Sequence, residues 1–196
     1  LILAFAFAAF GWLPASTIKR AGEVFTNLTD SASASSSSPS AQMPPCVAWE
    51  YRATYPFPIA GGAAASDGTY AYVFGGSTDG HQVPDVMRYD PASNTWAPLE
   101  GLTYGNETNF RASYGGNGKI YVVGGVNNRS HNRIYDIASN TWSLGADLPI
   151  PLNLHSQVSW GGKIYVIGGI SYPNTVASVF VYDIATNQWS PLAPMP

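Results

Sequence analysis

Three near-copies of one pattern fill most of this chain, and they constrain its fold more than any other feature. Gly75-Gly76 recurs as Gly124-Gly125 and Gly168-Gly169, Tyr89-Asp90 as Tyr135-Asp136 and Tyr182-Asp183, and Trp96 as Trp142 and Trp189. The tyrosine stands seven residues before the tryptophan each time, and successive tryptophans are 46 and then 47 residues apart. A unit of that length cannot bury a core alone, so neighbouring copies must stack.

Each copy spells out short strands. Asp67-Gly68, Asn117-Gly118 and Gly161-Gly162 precede the apolar runs Tyr70 to Phe74, Ile120 to Val123 and Ile164 to Ile167. Such pairs suit type I′ hairpin turns, which need positive φ at both central residues. The runs do not alternate, as expected of strands covered on both faces. The double glycine then marks a sharp bend or a close backbone approach. Asp90 to Asn94, Asp136 to Asn140 and Asp183 to Asn187 each join the tyrosine strand to the tryptophan strand. There the aspartate accepts backbone N–H groups and the asparagine tolerates the left-handed region, so these acids read as turn formers. The period with its double glycine and late tryptophan predicts an all-β propeller with about four strands per blade.

Gly-Gly, then Tyr-Asp, then Trp, with apolar residues leading into the glycines, resembles the Kelch repeat family over about residues 46–196. The resemblance implies four antiparallel strands per blade, running outward from a central channel. Inner strands are then expected near Gly61 to Ser66, Phe110 to Gly115 and Leu154 to Trp160, in blades of about 59–98, 108–144 and 152–192. Trp49 lies 26 residues before Gly75, as Trp142 does before Gly168. It is read as an N-terminal strand that closes the ring. Three blades are fewer than a ring needs. The expectation is therefore a propeller fragment, 45–196, whose missing C-terminal blades would complete it. The inter-blade faces holding Val73, Val122 and Ile167 are then expected to lie open.

Outside the repeats, Leu1 to Leu13 is an apolar run followed by Pro14 and Ala15. Residues 1–22 read as a secretory signal peptide or a membrane anchor, the run itself being shorter than a span requires. Residues 23–44, rich in serine, read as a flexible linker. The predicted location is extracytoplasmic, secreted or in the cell envelope. The net charge is −3 with no basic stripe, which argues against nucleic acid. Asn27, Asn106 and Asn128 head N-glycosylation sequons, which matter only in a eukaryotic source.

Up-and-down strand order places the second-to-third loops and the inter-blade connections on one face, and these vary in length. Variable loops on a rigid scaffold commonly carry function. That face holds Asp79, His81, Asn127, Asn128, Arg129, His131, Tyr172 and Asn174, with Asn109, Arg111, Asn153 and His155 at the inter-blade entries. Arg111 and His155 each stand 13 residues before their double glycine, so they are expected to project alike near the channel. The ligand-binding candidates are Asn109, Arg111, Asn153, His155, His81, Arg129, His131 and Tyr172. The partner expected there is a protein or a glycan. No H-E-x-x-H, G-x-S-x-G or P-loop lysine occurs, and the three histidines lack metal-ligand spacing. No catalytic residue, metal or cofactor is assigned, and Cys46 has no intrachain partner. The alternative is the non-catalytic part of a secreted carbohydrate-active enzyme, resembling galactose oxidase or sugar-epimerising propellers, with its active groups in other blades.

Overall fold

The double glycines and turn residues divide the chain into three four-stranded antiparallel sheets. In this computed structural model the described residues are 50–105, 108–126 and 130–196. Blade 1 holds β1 (Ala63–Ser66), β2 (Ala71–Phe74), β5 (Val86–Asp90) and β6 (Thr95–Leu99), in that spatial order. Between β2 and β5 stands a ribbon of β3 (Ser77–Thr78) and β4 (His81–Gln82). Blade 2 holds β7 (Arg111–Tyr114), β8 (Lys119–Val123), β9 (Asn132–Asp136) and β10 (Thr141–Leu144). Blade 3 holds β11 (Ser156–Trp160), β12 (Lys163–Ile167), β15 (Val179–Asp183) and β16 (Gln188–Leu192). Its ribbon is β13 (Ile170–Ser171) and β14 (Asn174–Thr175).

Two apolar layers join the blades. Tyr72, Phe74, Ile120, Val122 and Tyr135 pack between blades 1 and 2, while Tyr121, Val123, Ile164, Val166 and Tyr182 pack between blades 2 and 3. Strand β8 of the middle blade is buried on both faces from Ile120 to Val123. In β2 and β12 burial alternates, because each flanking blade meets a described neighbour on one side. The expectation of an open Val122 is thus corrected: it lies in the middle blade and is fully buried, whereas Val73 and Ile167 are half-exposed.

The tyrosine, asparagine and tryptophan of each copy form an inter-blade clamp. The Tyr135 hydroxyl donates to Asn140 Oδ1 at 2.6 Å, and the same oxygen accepts the Glu100 backbone N–H at 2.9 Å. Trp142 Nε1 donates to the Glu100 carbonyl at 3.2 Å. Blade 3 repeats this with Tyr182, Asn187, Trp189 and Ala146. Blade 1 repeats it with Tyr89, Asn94, Trp96 and Ala53. Glu100 and Ala146 each stand four residues after the preceding tryptophan, and Ala53 stands four after Trp49. Trp49 lies outside the described residues, and 50–59 form no ladder strand. Ala53 nonetheless fills the place that the exit of an outer strand takes in the other two clamps.

The turns follow the sequence reading in part. Asn94, Asn140 and Asn187 have φ of 56°, 55° and 56°, and each aspartate caps two backbone N–H groups, as Asp136 does for Ala138 and Ser139. Asp136 and Asp183 are held down to about 2, first by the ammonium groups of Lys119 and Lys163 and then by these N–H groups. The first hairpins differ from expectation. Only Gly161-Gly162 forms a two-residue turn with both φ positive. Blade 2 uses three residues, Gly116 to Gly118, with Gly115 N–H donating to Lys119 O. Blade 1 uses four, where the Asp67 carboxylate accepts the Thr69 and Tyr70 N–H groups in place of a second left-handed residue.

Candidate functional site

The entries to the inner strands are built on backbone geometry. Gly61, Asn109 and Leu154 have φ of 67°, 61° and 53°. Asn109 N–H donates to Gly61 O at 2.8 Å, and Leu154 N–H donates to Asn109 O at 2.9 Å, so one hydrogen-bonded path crosses all three blades. Beside it the backbone of Asn153 bridges to Ile170, and Ala60 bridges to Ser77. The second glycine of each pair is needed here. A Cβ on Gly169 would stand 2.7 Å from Asn153 O and 2.8 Å from His155 Cβ. Leu154 is unusual: a branched apolar residue in the left-handed region, with nearly half its surface exposed.

Arg111 and His155 do not occupy equivalent places. The residue opposite the one before the first glycine is Ala63, Arg111 and Ser156 in the three blades. His155 corresponds instead to Phe110 and Gly62, each one position earlier. The cause is turn length. Three residues in blade 2, against four and two in its neighbours, shift that strand by one, and one residue moves a side chain to the opposite face.

The two side chains still meet electrostatically. His155 is buried, and its pKa falls from 6.5 to about 4 through desolvation first and the Arg111 cation second, with the Gln157 side chain opposing both. Next to it Gln157 Nε2 donates to Ser113 Oγ at 2.8 Å and to Tyr121 O at 2.9 Å, tying blade 3 to blade 2. Arg111 is half-buried, and desolvation lowers its pKa. It donates to the Phe110 carbonyl at 2.9 Å and meets no carboxylate among the described residues.

The other candidates scatter. His81 is exposed on β4, beyond the Asp79-Gly80 turn, where Asp79 takes φ 49° as a turn residue. Tyr172, 77% exposed, tops the β13–β14 ribbon. His131 Nδ1 is tied to Asp147 Oδ1 at 3.2 Å. Arg129, Asn127, and the sequons at Asn27, Asn106 and Asn128 lie outside the described residues, as do 1–22 and 23–44, for which a leader or anchor and a linker are expected. Among the described residues, no group of three or more His, Cys, Asp or Glu is placed to hold a metal. Sequence reasoning missed Leu154 and the Ser113–Gln157 link, since nothing in a leucine announces a left-handed backbone.

Sheets of four antiparallel strands, stacked face to face and linked from the outer strand of one to the inner strand of the next, define a β-propeller segment. Its double glycines, Tyr-Asp pairs and late tryptophans are the residues that carry the Kelch resemblance. The Kelch motif matches residues 58–103, 115–149 and 151–196, well over half the chain, and this protein belongs to that family. Among curated relatives, Kelch-like protein 35 of Mus musculus is 30% identical over 64% of this chain and 21% of its own length. The F-box/kelch-repeat protein At4g19870 of Arabidopsis thaliana is 35% identical over 43% of this chain and 22% of its own. The chain thus spans about a fifth of the curated relatives it matches. The solved structure of YjhT superposes with a TM-score of 0.67 at 23% identity, covering 76% of this chain and 56% of that one, a likeness of fold.

Proposed function

We propose that this propeller segment is a binding scaffold that holds an acidic segment of a protein ligand on its axial face. The observation that carries this reading is Arg111, a half-buried guanidinium without a carboxylate partner among the described residues, near the exposed, left-handed Leu154. A cation that has lost part of its hydration and gained no counter-charge is stabilised by an incoming carboxylate. Leu154 adds apolar contact, and the ribbons bearing His81 and Tyr172 flank the approach. The apolar run Leu1 to Leu13 supports an exported chain, which N-terminal sequencing of the protein purified from its source would test.

The test titrates the whole chain with a glutamate-rich peptide and, separately, with a neutral oligosaccharide. Arg111→Ala should weaken the peptide by about tenfold, the value of one charge-assisted hydrogen bond, with melting unchanged. Equal affinity of the variant for the peptide, or binding of the oligosaccharide alone, overturns the reading.

A further inference from the structure

The outer strands of the three blades differ at one position that bears on pairing with a further strand. In β6 and β16 a proline, Pro98 or Pro191, stands two residues after the tryptophan; in β10 that place belongs to Leu144, which is 44% exposed. Each of these strands is the outer edge of its sheet among the described residues. Proline at an edge removes a donor and so blocks pairing with another chain.

The ladder phase shows which groups are free. Gly145 N–H donates to Asn132 O at 2.8 Å, in the same register that opposes Ser143 to Ile134 and Thr141 to Asp136. Inward bonding alternates along an antiparallel pair, so Trp142 and Leu144 turn their N–H and C=O groups outward. Pro98 and Pro191 sit at the matching outward positions, opposite Met87 and Phe180. The middle blade alone keeps that donor.

Beside this edge a cleft of about 230 Å³ opens between blades 2 and 3. Ile134 and Ile184 give it apolar walls; Lys119, Ser143 and Asn187 give it donors, and none of its lining residues is acidic. Lys119 also binds Asp136. In blade 1 the place of Ile134 is taken by Arg88, which stacks on Tyr70 at 4.5 Å. The middle blade therefore differs from its neighbour in two independent ways at one point on the rim.

We propose that the outer edge of blade 2 is a second docking site, distinct from the axial face, which takes an extended segment of a partner protein as a fifth strand. Only another extended backbone matches outward donors and acceptors that recur at every second residue. A partner residue opposite Ser143 shares its face, and that face looks into the cleft. A glutamate fits there best: its aliphatic stem lies along Ile134 and Ile184, and its carboxylate meets the Lys119 ammonium in a lining that holds no acid.

The experiment uses the whole 196-residue chain. The probe is a short capped peptide alternating threonine and valine around a central glutamate. Amide-resolved NMR should show the Trp142 and Leu144 N–H signals shifting and exchanging more slowly as peptide is added. Leu144→Pro, which copies the residue its two neighbour blades already carry, should weaken binding at least about fivefold, the value of one backbone hydrogen bond. N-methylating the probe's backbone should do the same with the protein untouched, so the outcome does not depend on the variant folding. Exchanging the glutamate for lysine should also weaken binding, whereas Arg111→Ala should leave it unchanged. Shifts confined to other strands, or undiminished binding of the N-methylated probe, overturn the proposal. Loss with Arg111→Ala moves the peptide to the axial face and overturns it as well.

Discussion

Replacing Asn140 separates two roles that one residue plays. Its φ of 55° demands a residue at ease in the left-handed region, and its Oδ1 accepts from the Tyr135 hydroxyl and the Glu100 N–H. Asn140→Gly keeps the backbone but loses both bonds. Glu100 is exposed and its N–H can return to water, so the main cost falls on the buried Tyr135. Leaving that hydroxyl unpaired, with the added chain entropy of glycine, costs about 2–3 kcal/mol. Asn140→Val loses the same bonds and adds about 1–2 kcal/mol of left-handed strain, offset partly by its smaller entropy cost. Asn140→Asp retains the acceptor and tolerates the conformation. Thermal melts followed by circular dichroism should therefore rank Asp near the parent, Gly roughly 4–12 °C lower, and Val a few degrees lower still. A double-mutant cycle with Trp142→Phe should show coupling above about 0.5 kcal/mol, because Asn140 and Trp142 grip the N–H and C=O of the same residue. Equal melting of Gly and Asp would refute the clamp, and equal melting of Gly and Val would refute the turn argument.

Two further outcomes follow from the same structure. His155 takes up its proton in the unfolded chain below about 6.5 but in the folded chain only near 4. Its contribution to stability is thus constant above neutrality and falls by about 3 kcal/mol as pH drops from 6.5 towards 4. His155→Phe, which copies Phe110 of blade 2, should flatten that part of a denaturation series, and an unaltered pH slope would remove His155 as its cause. Trp160, 75% exposed beside Val158 at 52%, sits on the face of blade 3 that meets no described neighbour. Trp160→Ser should shift sedimentation of the chain towards monomer, and a parent that is already monomeric at all concentrations counts against that face as a self-association surface.

What could be read from the residues was the part of the fold fixed by local chemistry repeated three times. Glycine pairs, Tyr-Asp turns and late tryptophans each solve one backbone or packing problem, and the structure places all three sheets where those signals put them. The inter-blade clamp is also periodic, but its fourth member is Glu100 in one copy and Ala53 or Ala146 in the others, so no side-chain type advertises it. Only its backbone takes part. The pairing of Arg111 with His155 failed for a sharper reason. An offset counted along the chain is a position in space only while every hairpin has the same parity, and the Gly116-Asn117-Gly118 turn breaks it. One extra turn residue leaves the composition of the site unchanged and alters which side chains face one another. His155 is therefore the counterpart of the buried Phe110, while Arg111, half-buried, takes the place that Ala63 and Ser156 hold in the flanking blades. A strictly repeating propeller would satisfy each entry residue alike, and here the middle blade departs twice, in its inner turn and in its outer edge. The first puts Arg111 in register with Ser156 rather than His155, and the second leaves Leu144 where both flanking outer strands carry proline.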